Sequence, residues 1–391
     1  MSFDTPKDRR GTDCSKWDLM EPAFGVPSAD GLAMWIADMD FAPGDFLQRA
    51  MQDLIKRADY GYFCGLESYS DAICWWMQER HGWALDPDAI FTTYGLGNGI
   101  AITLNALTEP GDEIIIFTPV YHEFAKKIGK TRRVVKELPL VQDEAGFYRM
   151  DFAAYEEMLS GKERLVMFCS PHNPAGRVWE QSELSALAGF CRKHDLLLIS
   201  DEIHMDLTFR DQTHIPMTVA APEITDRLVM TTSASKTFNI AGGRTGAVSL
   251  PDPALRARFE QFFRGLDMQP NLMGVALTRA AYTPEGAEWV DELTTYLEGN
   301  YRLFKEGLDA IPGAELMPMQ STYLSWADFS GTGMARTEFS DRVAKQARIA
   351  ATPGHTLGTG GENFLRFNLG TQRARVEEAV ERLHAAFSDL Q

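Results

Sequence analysis

The spacing of hydrophobic positions takes three forms along the chain. From residue 46 onward Leu47, Ala50, Met51, Leu54, Ile55 and Ala58 recur three and four residues apart, the period of a helix that buries one face. Continuous apolar runs then take over at 114–117, 165–169, 196–199 and 228–230, with longer amphipathic stretches such as 182–194 between them. A continuous run needs burial on both faces, so strands of this kind alternating with helices predict an α/β fold, a mainly parallel sheet covered by helices. The last hundred residues differ again. Segments 321–329 and 364–369 alternate as strands do, whereas 338–347 and 375–387 have helical spacing, which predicts a smaller α+β domain. Turn formers at Tyr282-Thr283-Pro284-Glu285-Gly286 mark its start. The expected organisation is an N-terminal arm (1–48) that contributes to the small domain, a large domain (49–283) and the small domain (284–391).

Composition narrows the class. The 391 residues are 45% hydrophobic and 24% charged, close to the average for globular proteins, which excludes wholesale disorder, collagen-like repeats and a coiled-coil rod. Lys and Arg number 38 against 55 Asp and Glu, a net charge of −17 that repels nucleic acid and acidic membrane surfaces. Neither is expected as a partner, and an anionic ligand needs a local site that works against the global field. The five cysteines (Cys14, Cys64, Cys74, Cys169 and Cys191) are odd in number with no CxxC spacing, so neither a disulfide framework nor a zinc knuckle is expected. No apolar run approaches the roughly 20 residues of a membrane helix. A cytoplasmic protein is the expectation.

In an open parallel sheet ligands bind beyond the carboxyl ends of the strands. The four apolar runs are followed by Thr118-Pro119-Val120-Tyr121, Ser170-Pro171-His172-Asn173-Pro174, Ser200-Asp201-Glu202-Ile203-His204 and Thr231-Thr232-Ser233-Ala234-Ser235-Lys236. Taken singly, a surface tyrosine, a turn asparagine, a capping aspartate and a solvated lysine are ordinary. Together they put an aromatic ring, an amide, a carboxylate and an amine on one rim. A fifth element, Thr93-Tyr94-Gly95-Leu96-Gly97-Asn98-Gly99-Ile100, runs from a short strand through a glycine-rich turn into a helix, which suits a phosphate. A dinucleotide site would need an acid closing the next strand, and that strand ends in Phe117-Thr118-Pro119. The phosphate ligand that uses all of these groups is pyridoxal 5′-phosphate: its aldehyde condenses with a lysine, and its ring withdraws electrons only while the pyridine nitrogen stays protonated, which a buried aspartate ensures.

Further along, Arg366 and Asn368 alternate with Leu365, Phe367 and Leu369, so the guanidinium need not lie in the apolar core, and its planar fork suits a carboxylate. The glycine-rich segment 353–361 reads as a mobile loop at the mouth of the site.

These residues carry a resemblance. Asp8-Arg9-Arg10-Gly11-Thr12, Trp17-Asp18, Asp38-Met39-Asp40-Phe41, Tyr60-Gly61-Tyr62, the stretches beginning at Ser170, Ser200 and Ser235, Gln320-Ser321-Thr322-Tyr323-Leu324 and Phe364-Leu365-Arg366-Phe367-Asn368 stand in an order that resembles fold-type I pyridoxal-phosphate enzymes. These are of the aminotransferase class I/II superfamily, and within it the cystathionine β-lyase group of MalY and PatB type. The resemblance implies that Lys236 forms the covalent bond to the cofactor, Asp201 pairs with the pyridine nitrogen, Asn173 bonds the ring hydroxyl oxygen and Tyr121 stacks on the ring. Ser233 and Gly97-Asn98-Gly99 would bind the phosphate, joined by Arg244, and Tyr62 would reach it from the other subunit of a homodimer. His204 stands where many aminotransferases of this fold have Tyr, and Arg366 matches the residue that binds the substrate α-carboxylate. Two features depart from the pattern. Arg244 is an aminotransferase trait that lyases often lack, and the Gly97-Asn98 turn lacks the hydroxyl residue common in the superfamily.

The expected reaction is α,β-elimination from an L-cysteine S-conjugate, with Lys236 as general base and Tyr121 close enough to assist proton transfer. The alternative is an aminotransferase using the same residues. A metal hydrolase built on Asp201, Glu202, His204 and His214 is disfavoured by the alternation of Asp201 and Glu202 and by the lack of a His-x-x-x-His pair, so no metal is expected. A silent binding subunit would not keep the lysine, aspartate and arginine together. Trp35, Ile36, Ala37 and Tyr323 are the candidates for contact with the substrate side chain.

Overall fold

The computed structural model describes residues 3–390. The first amphipathic run is helix α1 (Asp45–Arg57), which turns Phe46, Leu47 and Leu54 inward. Helix α2 (Glu67–His81) follows and buries Tyr69, Ile73, Trp76 and Met77. Seven strands then build one sheet: β1 (Ile90–Thr93), β2 (Glu113–Thr118), β3 (Val134–Pro139), β4 (Glu163–Cys169), β5 (Leu197–Asp201), β6 (Leu228–Thr232) and β7 (Gly246–Ser249), in spatial order β1-β7-β6-β5-β4-β2-β3. The four apolar runs are β2, β4, β5 and β6, all parallel; β7 alone is antiparallel to its neighbours.

Alternate residues of these strands feed two different cores, which is why the runs are continuous rather than alternating. Ile114, Ile116 and Met167 pack with Ile100 and Leu104 of α3 (Leu96–Leu107). Ile115, Phe117 and Phe168 pack with Leu184 and Leu187 on the other side. Three more helices matter below: α4 (Glu123–Lys130) after β2, α5 (Gln181–Lys193), and α6 (Ala234–Thr237), a single turn after β6.

Helix α7 (Pro284–Asp309) begins at these turn formers, with Pro284 in its first turn and Thr283 as its cap. It leads into an antiparallel sheet of β8 (Glu315–Leu316), β9 (Leu324–Asp328), β10 (Thr352–Pro353) and β11 (Phe364–Asn368), in order β8-β9-β11-β10. Residues 321–323 do not join β9: Thr322 is left-handed (φ 67°), and Ser321 bridges to Thr208 instead. The predicted helix at 338–347 starts at Arg336 and widens into a π-helix over Arg342–Gln346. Helix α8 (Arg373–Ala386) closes the chain against α7.

The arm packs Trp17, Met20 and Val26 with Ala33 and Ala350, and Leu32–Ala33 pairs in parallel with Ile349–Ala350. The segment 353–361 is tied down rather than free. Val120 donates its N–H to the Leu357 carbonyl (2.8 Å), and Thr359 N and Oγ1 both bond Glu137 Oε2. Among the described residues no helix is long and apolar enough to cross a membrane.

Candidate active site

The carboxyl ends of β2, β4, β5 and β6 open into a cleft of about 550 Å³, within the size range of small-molecule sites. Tyr121, Asn173, Asp201, His204, Lys236, Arg244, Gly97 and Asn98 all line it.

Asp201 ends β5 in the middle of the sheet, between Cys169 and Thr231, so its carboxyl is buried. Burial pushes its pKa up to about 7; the Ile203 N–H (3.3 Å) opposes the rise, Glu202 adds to it, and Lys236 opposes it. Lys236 rides on α6, and its Nζ donates to the Ala37 carbonyl (2.6 Å). Burial brings that amine down to about 8, against the pull of Asp38. Both groups are driven toward their neutral forms because the cleft desolvates them.

Tyr121 follows β2, with its N–H on the Asn173 carbonyl (3.1 Å) and its phenol raised to about 12 by burial. Asn173 in turn accepts from Arg366 Nη1 (2.9 Å). Arg366 does not line the cleft wall but stands behind Asn173. As its alternation with Leu365 and Phe367 implies, the guanidinium lies off the apolar core among polar groups, yet it is buried, as are all five residues of the strand. Its Nη2 holds the Trp35 carbonyl (2.9 Å) and Thr352 Oγ1 (3.2 Å), Nε has no partner, and burial lowers its pKa to about 10. His204 is buried with Nδ1 unpartnered and is held neutral, its pKa lowered to about 3 by burial and then by Lys236 and Arg366. Tyr323 packs edge-on to it (6.2 Å), its hydroxyl buried without a partner.

At the other end of the cleft, α3 presents its amino terminus. The first N–H groups of a helix lack intrahelical acceptors and attract anions. Asn98 spends its Oδ1 on the Tyr94 N–H (3.1 Å). Gly99 does not line the cleft, and its role is packing: a Cβ there would come within 2.7 Å of Val248 Cγ2. Ser233 is also outside. Its Oγ donates to the Thr245 carbonyl (2.7 Å) and accepts from Ser235 N (3.1 Å), capping α6, so Ser235 is the serine that faces in. Tyr62 is fully exposed beside Tyr60 and Phe63, away from the cleft of its own chain.

Lys127, Tyr94 and Ser235 also line the cleft and were not singled out from the sequence. Ser235 had a signal, since it adjoins Lys236; Lys127 is reached only because α4 folds back along α3, which no local pattern encodes. The roof is the irregular segment 35–40. Asn368 Nδ2 holds the Ile36 and Asp38 carbonyls, Asn239 brackets Met39, and Arg9 bonds Asp38 (2.9 Å), with Ala37 alone of the four side-chain-pocket candidates lining the cleft.

The donor set fits pyridoxal 5′-phosphate. A helix terminus and the Arg244 guanidinium, which has no ion-pair partner among the described residues, suit a phosphate; a desolvated carboxyl suits a pyridinium; Tyr121 supplies an aromatic face and Lys236 an amine. Glu202 and His214, invoked for a metal, are bonded to each other (2.8 Å).

Residues 39–383 match the family model of aminotransferase class I and II. The chain is 35% identical to cystathionine beta-lyase PatB of Bacillus subtilis (strain 168), over 99% of this chain and all of that one. It is 31% identical to the protein MalY of Escherichia coli (strain K12), covering 97% of each. Among solved structures, cystalysin from Treponema denticola, which contains pyridoxal 5′-phosphate, superposes with a TM-score of 0.94 at 30% identity, covering 100% of this chain and 99% of that one.

Proposed function

The chain belongs to the aminotransferase class I and II family, and we propose on that footing that it is a pyridoxal-phosphate-dependent carbon–sulfur β-lyase. Its substrate is an L-cysteine S-conjugate such as L-cystathionine, taken to pyruvate, ammonia and a thiol. The observation that carries the reading is the convergence of Lys236, Asp201 and Asn173 on one cleft, with Arg366 bonded behind Asn173, in a chain alignable end to end with a cystathionine β-lyase.

When bound, the cofactor supplies an electron sink for the pair released as a Cα–H bond breaks. The residues do the rest. Asp201, buried with no cation bonded to it, would pair as a carboxylate with the pyridinium and so hold the proton on the ring nitrogen. Asn173 would bond the ring hydroxyl oxygen, Tyr121 would stack on the ring, and the neutral His204 would line the same pocket. The amino terminus of α3 at Gly97 and Asn98, with Arg244 and Ser235, would hold the phosphate. Arg366 binds the substrate α-carboxylate, for which its unpartnered Nε is available. Lys236 Nζ, neutral in a large fraction of molecules near pH 8, takes the Cα proton. Tyr121, kept protonated by burial, is the proton source for the leaving thiolate.

The large domain (49–283) would carry the cofactor and the small domain (284–391), with the arm, the carboxylate site and roof. The exposed Tyr60 and Tyr62 suit a homodimer in which Tyr62 reaches the partner's phosphate, and a cytoplasmic location accords with the unpaired cysteines. Transamination is the second reading, favoured by Arg244 in the cleft. Incubating the yellow holoenzyme with L-cystathionine and no keto acid separates the two: steady release of pyruvate and thiol is expected, and a single half-turnover without pyruvate would overturn the lyase reading.

A further inference from the structure

The segment 201–206 has two faces. Asp201 and His204 look into the cleft, and Glu202 and Asp206 look the other way, into a layer that no reacting group reaches. There Glu202 accepts from Ser200 Oγ (2.8 Å), Met217 N (2.9 Å) and His214 Nε2 (2.8 Å). Asp206 Oδ1 accepts from Trp76 Nε1 (2.8 Å) and pairs with His81 Nε2 (2.7 Å), while its Oδ2 accepts from Thr237 Oγ1 (2.8 Å). The two imidazoles meet edge to face at 5.9 Å. Burial by itself would raise Asp206, yet the bond and charge of His81, then the Trp76 and Thr237 donors, hold its carboxyl below the usual range. Trp76 is fixed in its turn by stacking on Tyr282 (4.7 Å).

Thr237 is the residue after Lys236, and α6 is one turn long. A single helical turn has no stability of its own, so its placement comes from whatever grips its ends. The Ser233 cap grips the first end, through the Thr245 carbonyl. At the second end the side-chain grip is Thr237 on Asp206. Lys236 itself contributes only one bond, to the Ala37 carbonyl of the roof, which must break whenever the amine does chemistry.

We propose that Asp206, braced by His81 and Trp76, is a positioning residue for Lys236: through Thr237 it fixes the turn from which the lysine swings, and so the approach of Nζ to the cofactor and the substrate. This rests on the reading of Lys236 as the cofactor-linked base. It also accounts for an ionised acid kept in a fully buried place, where an apolar side chain of similar volume would be about as stable. A misplacement of about 1 Å at such a group costs up to about a hundredfold in rate.

The test uses the holoenzyme and Thr237→Val, which keeps the shape and removes the donor, with Thr237→Ser, which restores it, and Asp206→Asn as an independent second break. In the valine and asparagine variants kcat for pyruvate release should fall about tenfold with KM within about twofold. The pH midpoint of the visible band of the lysine-bound cofactor should move by about 0.5 or more. The serine variant should return both to the native values. A valine variant with native kcat and midpoint, whatever its melting temperature, overturns the proposal, and so does a serine variant that behaves like the valine one. If the native protein itself takes up no cofactor that borohydride can lock onto Lys236, it is the lyase reading that fails.

Discussion

The two faces of the segment 201–206 are equally buried and differ in one respect, which is whether their polar groups are satisfied. On the back, Glu202 and Asp206 each accept three hydrogen bonds. On the cleft side Asp201 accepts one long backbone bond, His204 Nδ1 has no partner, and Lys236 makes a single bond to a carbonyl. Burial alone therefore says little about which acid works and which one braces. Buried polar groups in folded proteins are almost always paired, so a cluster of unpaired ones marks a surface built for something that completes it. The protonation equilibria separate in the same way: Asp201 and Lys236 are pushed toward neutrality, to about 7 and about 8, whereas Asp206 is held ionised.

The sharpest way to break this comparison is at Lys236. Lys236→Ala removes the base and the attachment point together, so pyruvate release from L-cystathionine should fall at least about a thousandfold while the protein stays folded. Activity within tenfold of native would place the chemistry elsewhere. Asp201→Asn comes next, with a loss of about a hundredfold to a thousandfold in kcat, because a neutral amide cannot keep the pyridine nitrogen protonated. Its effect on stability should have the opposite sign. The folded carboxyl has its pKa raised from 3.8 to about 7, so the protonated form is favoured in the native state. That contribution is complete below pH 3.8 and is lost as pH rises through 7. Without cofactor, Asp201→Asn should thus match the native protein near pH 4 and exceed it at pH 8 by on the order of 2–4 kcal/mol in urea unfolding. Parallel pH profiles for the two proteins would show that the cleft face carries no such cost.

Much of this cleft was legible from the chain, and the reason is geometric. Parallel strands deliver whatever follows them to one rim, so Tyr121, Asn173, Asp201 and Lys236 could be assembled from four apolar runs and their next few residues. Ser233 and Gly99, expected at the phosphate, do not line the cleft, because residue type and position on the rim do not reveal which way a side chain turns at a helix start. Ser233 caps α6, and Gly99 lets α3 close on β7. The face of β11 was read from its alternation, but its burial was not. Alternation identified Arg366 as opposite to Leu365 and Phe367, but the roof at 35–40 covers that side too, through a contact more than 300 residues distant in sequence. The back layer of Glu202, His214, Asp206 and His81 was invisible for the same reason: it is held by pairs from four separate segments.

Glu202→Gln tests the back face, and the expectation is the mirror image of Asp201→Asn. Gln has one acceptor oxygen where Glu202 uses two, against Ser200 and Met217 on one side and His214 on the other, so a buried contact is lost at a cost of about 1–3 kcal/mol of stability. Pyruvate release should fall less than about tenfold. A stability gain here, as at Asp201, would erase the distinction between the two faces.

At Arg366 the expected effect is on affinity, because satisfied and unsatisfied groups meet on one side chain. Two nitrogens of the fork are engaged with Asn173, Trp35 and Thr352, and Nε is free. Arg366→Lys keeps the charge, but a single ammonium cannot hold the roof carbonyl, the Asn173 amide and a substrate carboxylate at once. The loss should be that of one or two charge-assisted bonds, about 1.5–3 kcal/mol, read as a rise of about tenfold to a hundredfold in KM for L-cystathionine. Cysteamine, which has the amine and sulfur without the carboxylate, supplies the control. Its affinity should be the same in both proteins, and an equal weakening for both ligands would mean that the arginine serves the roof and not the substrate.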